Sequence, residues 1–169
     1  MNGEKEEMVD LIDENDNVIG VTTRAEQMKK NLAKRMSRVI VRNEKGEYVI
    51  HKRAATIAWP NAWDVGATET VIAGESYEHA AQRGLKEELG IAAAVKFIGK
   101  LSFEKEDVKR HCELFECYVN DEKIIPDPKE VSEFKWMSEE SLRSIVNNKE
   151  EGWMDAVFVV LPYYWKHER

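Results

Sequence analysis

Short apolar runs broken by polar clusters fill the first two thirds of this chain, and longer helical periods follow. The opening MVDLIDENDNVIGVTT has two apolar stretches around Glu14-Asn15-Asp16-Asn17, which predicts a hairpin over about 8–23. A short polar helix is expected over Arg24–Lys30. SRVIVRNEKGEYVIHKR then gives two β-branched strands joined at Asn43-Glu44-Lys45-Gly46, and TIAWPNAW, with Pro60, gives a loop. The clearest helix starts at Ser76, a good N-cap, and stops at Gly90. Tyr77, Ala81, Leu85 and Leu89 recur every four residues as its core stripe. Strands are predicted over Val95–Phe103, Cys112–Val119 and Phe134–Trp136. Two helices follow, one capped by Ser138 and a mostly apolar one over about 153–167, with Pro162 near its end. Strands in the middle and helices between them predict a mixed sheet with helices on both faces, in a single domain over 1–169.

Charge narrows the choice of partner. The formal net charge of −7 leaves no basic footprint for a nucleic-acid backbone, so no nucleic acid is expected. An acidic chain still binds phosphates where a metal ion bridges the negative charges. No apolar run is long enough to span a bilayer, and Met1–Asp10 lacks the pattern of a signal peptide. The expectation is a soluble cytoplasmic protein with no membrane partner. Cys112 and Cys117 are five residues apart on one predicted strand, hence on opposite faces and not disulfide-bonded to each other. The apolar 153–165 segment suits a core element or a homodimer contact equally well.

The chemistry concentrates in Glu69–Ile91, ETVIAGESYEHAAQRGLKEELGI. Arg83 and Glu87 are four apart and pair along one helix face, with Glu88 beside them over Gly84. The adjacent acids Glu87 and Glu88 repel each other, and a hard divalent ion relieves that repulsion. On composition alone such a pair is more often a solvated helix surface.

This stretch resembles the Nudix signature, G-x5-E-x7-REUxEExGU, where U is a bulky aliphatic residue. Glu75, Arg83, Leu85, Glu87, Glu88, Gly90 and Ile91 fall on its positions with the right spacing. Lys52-Arg53, Trp63-Asp64 and Glu130–Trp136 agree on the flanks. The N-terminal hairpin resembles the lead-in of Nudix proteins related to isopentenyl diphosphate isomerase. The resemblance implies an α/β/α sandwich with a central mixed sheet. It also implies a pyrophosphohydrolase that cleaves a diphosphate linkage in a nucleoside diphosphate joined to another group. Magnesium, with manganese as the other suitable ion, would be held by Glu87 and Glu88, with Glu75 supporting from the loop. Arg83 would orient a carboxylate. Glu130 is the candidate base, and Arg53, Trp59 and Trp63 are the candidate substrate contacts. For these the ordinary alternatives are surface cation, solvated loop and core aromatic.

Two signature positions differ. The first glycine is Glu69, and the glutamate after the arginine is Gly84. A glycine inside a helix costs about 1 kcal/mol relative to alanine, so helix stability gives no reason for it. Either catalysis has weakened, leaving a nucleotide-binding module, or the space is needed by substrate or neighbouring backbone. Glu69 offers a replacement carboxylate. Restoring glutamate at 84 is expected to stabilise the helix by propensity, with repulsion from Glu87 and Glu88 offsetting the gain until magnesium binds, and to speed turnover by adding a ligand beside Glu88. AWPNAW, GES, ELG and EVSEFKW also resemble the isomerase itself. That enzyme needs a cysteine and a histidine where this chain has Thr68 and Thr70, which argues against isomerisation.

Overall fold

The computed structural model describes residues 6–120 and 123–168. The hairpin is β1 (Met8–Ile12) and β2 (Val18–Thr23), and α1 (Arg24–Lys29) follows it, capped by the Thr23 hydroxyl. The main sheet holds β3 (Lys34–Arg42), β4 (Tyr48–Arg53), β5 (Trp63–Val65), β6 (Ala67–Thr70), β7 (Lys96–Lys105), β8 (Val108–Tyr118) and β9 (Val131–Met137). Its order is β5-β4-β3-β8-β7, with β6 added to β3 and β9 to β4. β3 runs parallel to β8 and the other pairings are antiparallel. The sheet is therefore mixed, as expected.

Strand alternation splits the core in two. Val39, Val41, Val49, Phe115 and Cys117 face α2 (Tyr77–Leu89), whose Tyr77, Ala81, Leu85 and Leu89 are all buried. Ile40, Tyr48, Ile50, Cys112 and Leu114 face the opposite layer, α3 (Glu139–Asn148) and α4 (Val157–His167). Three layers result, α/β/α. The cysteines do lie on opposite faces, and both are free and buried.

Some boundaries differ from expectation. α4 begins at Val157 rather than 153, because Trp63 N–H and Met154 N–H bond across to Gly152 and Trp63 carbonyls and tie that stretch to β5. Pro162 lies inside α4, one backbone donor short, and the helix continues to His167. Val157, Val160, Leu161 and Tyr164 are buried against the sheet, so the apolar character of this helix is used within the chain. β5 and β6 are strands that the local apolar pattern does not predict. They are short, and Gly66 separates them with φ +64; a Cβ there would sit 1.8 Å from the Val39 carbonyl oxygen. Pairing with β3 and β4, not a local apolar pattern, makes them strands.

Candidate active site

α2 and the strand and loop before it set the site. The Ser76 hydroxyl accepts from His79 N–H at the N-terminus, and Gly90 closes the helix in the left-handed conformation. The helix turns Gly84 and Glu88 inward with its apolar stripe and leaves Glu87 exposed.

Arg83 gathers three carboxylates. Its Nε and Nη2 donate to the two oxygens of Glu75 at 3.0 and 2.9 Å, and Nη2 also donates to the Thr70 carbonyl at 2.8 Å. Nη1 reaches Glu69 at 3.2 Å and Glu87 at 3.4 Å. These contacts, the Glu75 bond first, hold the guanidinium above its ordinary pKa. Glu75 also accepts from Ile72 N–H at 3.1 Å. Burial would raise its pKa, but the bonds from Arg83 and Ile72 outweigh burial and keep it low.

Glu88 has the opposite environment. It is buried, with Oε1 accepting from Thr68 N–H at 2.9 Å and Oε2 3.7 Å from His51 Nε2. Burial holds its pKa well above the usual carboxylate range, and the negative charges of Asp64, Glu69 and Glu130 push it further. Burial lowers the His51 pKa, so that imidazole offers little positive charge in return. Glu69 is likewise raised by burial, with Arg83 opposing.

Both departures from the signature meet in one contact. A Cβ on Gly84 would stand 2.9 Å from the Glu69 Cβ and 3.6 Å from its Cγ. Glu69 fills the space that the helix glycine leaves, and a side chain at 84 has nowhere to go while Glu69 is present. This corrects the expectation that a glutamate restored at 84 would stabilise the helix by propensity.

A cavity of about 300 Å³ opens beside these acids. Of the expected site residues, it brings together Arg53, Trp59, Arg83, Glu87, Glu88 and Glu130. Glu75 lies behind Arg83, outside the lining. Trp63 packs on Trp153 in the layer of α3 and α4, with Lys52 and Lys135 over its ring. Glu133 is exposed on β9, Glu116 is bonded to Tyr164, and Glu113 faces Lys100; none lines the cavity. Trp59 takes a positive φ of 50°, rare for a bulky side chain, and stands half exposed at the wall.

Sequence reasoning missed the floor of the cavity. Arg38 and Asp64 form a fully buried pair at 2.6 and 3.2 Å. A charge amid the apolar run RVIVR was the available signal. Burial opposes both charges, yet the pairing raises the Arg38 pKa and lowers that of Asp64. It also missed Arg110, Phe103 and Lys105, which arrive from the β7–β8 hairpin.

The donors suit a hard ion. Glu69, Glu87, Glu88 and Glu130 share the cavity with a buried Thr68 hydroxyl oxygen that has no partner. Among the described residues no group of three or more His, Cys, Asp or Glu side chains is arranged to hold a metal ion by itself. Magnesium does not ask for one, since it takes one or two carboxylates and completes its shell with water and phosphate.

The chain is a three-layer sandwich around a mixed sheet, with an acid-bearing helix at the edge of a cavity. The model of the NUDIX domain matches residues 34–158, and the chain belongs to the Nudix hydrolase family. It is 32% identical over 136 residues to an uncharacterized Nudix hydrolase of Pseudomonas aeruginosa, covering 79% of this chain and 80% of that one. It is 29% identical over 148 residues to isopentenyl-diphosphate delta-isomerase 2 of Photorhabdus laumondii, covering 85% and 84%. A crystal structure of a Deinococcus radiodurans protein superposes with a TM-score of 0.78 at 25% identity, covering 96% of this chain and all of that one. No helix among the described residues is long and apolar enough to cross a membrane.

Proposed function

We propose that the protein hydrolyses a diphosphate linkage in a nucleoside diphosphate joined to another group, using magnesium or manganese. The observation that carries this is one cavity lined by Glu69, Glu87, Glu88 and Glu130, in the frame of the family signature. Glu87 and Glu88 would hold the ion. When bound it would neutralise phosphate charge and lower the pKa of the attacking water. Arg83 fixes Glu69, Glu75 and Glu87 relative to one another. Glu69 supplies, from β6, the carboxylate that Gly84 no longer carries. Glu130 takes the proton as the water oxygen bonds to phosphorus; the bridging P–O bond breaks and two phosphate products leave. Arg53 contacts phosphate and Trp59 stacks on an aromatic group of the substrate. Two reduced, buried thiols fit the cytoplasm. The proposed partner is this small molecule, with neither nucleic acid nor membrane.

The isomerase reading is disfavoured because Thr68 and Thr70 stand where that resemblance requires a thiol and an imidazole, and a threonine hydroxyl is a far weaker acid than a thiol.

A screen of nucleoside diphosphate derivatives with magnesium, following phosphate or monophosphate release, tests the reading. Cleavage is expected in wild type, with a loss of at least about a hundredfold in Glu87→Gln/Glu88→Gln. Isothermal titration of magnesium into both proteins gives a second readout. Equal affinity would place the ion elsewhere, and conversion of isopentenyl to dimethylallyl diphosphate would defeat the assignment.

A further inference from the structure

We propose that Arg110, which lines the cavity, and Lys34, its neighbour on β3 just outside the lining, form an anion subsite apart from Glu87 and Glu88. It would bind a phosphate monoester that the substrate carries in addition to its scissile diphosphate. The inference rests on the hydrolase reading for its second part only.

The motive is an unbalanced charge. Arg35, Arg38, Arg42 and Arg83 all have carboxylate partners at 3.2 Å or closer. Arg110 is only 8% exposed and lines the cavity, yet it has no ion pair among the described residues. Its hydrogen bonds run from Nη1 to the carbonyls of Lys105, at 2.9 Å, and Val108, at 3.5 Å. The rest of its guanidinium fork is unused. Lys34 lies directly across from Arg110 in the parallel β3–β8 ladder, is half-buried, and has no ion pair among the described residues either. Burial lowers both pKa values, and Arg110 and Arg24 lower that of Lys34 further; Glu106 is the acid that opposes this in both. Arg24 itself is held by Glu7 at 2.6 Å. Two adjacent, desolvated, unmatched cations cost folding energy, and an anionic ligand supplies the missing charge. Arg110 presents a fork suited to two phosphate oxygens, and Lys34 adds a point charge.

Strand geometry separates this subsite from the acids. Arg38 pairs with Thr68, whose N–H holds Glu88. Lys34 is four residues before Arg38 on the same face of β3, about 13 Å away along the strand. That strand spacing is longer than a diphosphate, so the subsite would take a phosphate other than those held at Glu87 and Glu88. Met36 and Phe103 line the cavity as well, which gives an apolar wall for the uncharged part of the molecule. The implied substrate class is a nucleoside diphosphate derivative bearing a further phosphate ester on the far side of its nucleoside.

The first test needs no metal and no turnover. Inorganic phosphate is titrated into protein in chelator-containing, otherwise phosphate-free buffer. Affinity is expected to fall about tenfold in Arg110→Gln and in Lys34→Gln, while Glu87→Gln/Glu88→Gln keeps the wild-type value. Arg110→Lys should retain part of the affinity, which separates lost charge from misfolding. Melting without phosphate gives an independent readout. Lys34→Met should melt above wild type because a repulsion is gone, and phosphate should erase that advantage. Equal phosphate affinity in wild type, Arg110→Gln and Lys34→Gln would overturn the subsite. With magnesium, ADP-ribose is then compared with its 2′-phosphorylated form. A KM about tenfold lower for the phosphorylated compound in wild type, collapsing toward equality in Arg110→Gln, is expected. Phosphate binding without that discrimination would mean that the subsite takes free phosphate, and the substrate part falls. If neither compound is cleaved and the wider screen finds no substrate, the hydrolase reading fails while the metal-free titration still decides the subsite.

Discussion

Gly84 is the residue where local and tertiary demands pull apart. Helix propensity favours any side chain but proline there, by about 1 kcal/mol for alanine. The 2.9 Å approach of a Cβ to Glu69 reverses this, since inserting atoms into filled space costs about 1–3 kcal/mol. Gly84→Ala and Gly84→Glu should therefore both lower the melting temperature, against the propensity scale. Glu69→Gly alone should weaken magnesium binding, and Glu69→Gly/Gly84→Glu should recover both stability and affinity, because the carboxylate has then returned to the helix. Calorimetry with and without magnesium checks all four proteins. A Gly84→Ala variant more stable than wild type would show that Glu69 moves aside freely, and the linkage between the two positions would be abandoned.

At the scale of elements, the N-terminal hairpin is a brace for the loop that carries Glu75. Met8 carbonyl accepts from Ala73 N–H at 2.9 Å, and Asp10 accepts from Gly74 N–H at 3.2 Å. Asp16, at the hairpin turn, is buried among Arg35 at 2.6 Å, the Tyr77 hydroxyl at 2.9 Å and Lys100. Burial alone would raise the Asp16 pKa; the bonds from Lys100, Arg35 and Tyr77 outweigh it and hold the carboxyl low. A depressed folded pKa means stability that is complete above the unfolded value, near 3.9, and lost as pH falls through the lower folded value. Asp16→Asn should cost about 1–3 kcal/mol at neutral pH, because it removes a charged partner of Arg35 and Lys100, and less and less below about pH 4. Urea unfolding at pH 7 and at pH 3 measures the difference. A penalty of the same size at both would mean shape, not charge, makes the brace.

For the whole molecule, the buried acids make stability and ligand binding one quantity. Burial disfavours the Glu88 carboxylate in the empty protein, so Glu88→Gln should melt higher than wild type when a chelator is present. Magnesium at about a hundredfold excess over its Kd adds about 2.7 kcal/mol to a protein that binds it only when folded. For a chain of this size that is about 5–10 °C in Tm. The rise should appear in wild type and be largely lost in Glu88→Gln. A wild-type Tm that ignores magnesium, measured alongside unchanged titration heats, would count against the metal site as drawn.

Much of this was legible along the chain because it depends on near neighbours. The hairpin at 8–23, the α2 cap at Ser76, the stop at Gly90 and the four-residue apolar stripe are local matters of turn chemistry and periodicity. The order of Arg83, Glu87 and Glu88 on one helix, with Glu75 just before its cap, is fixed by spacing in the same way. What lay beyond reach needs residues distant in sequence to meet. β5 and β6 are strands only because β3 and β4 offer them hydrogen-bond partners. The deep burial of Glu88, the pairing of Arg38 with Asp64 and the isolation of Arg110 depend on which strands adjoin, since desolvation and charge pairing are set by the neighbours a side chain finds in space. The sequence alone determined that positions 69 and 84 depart from the signature. Only tertiary contact decided that the two departures are one, because the space left on the helix is the space that Glu69 occupies.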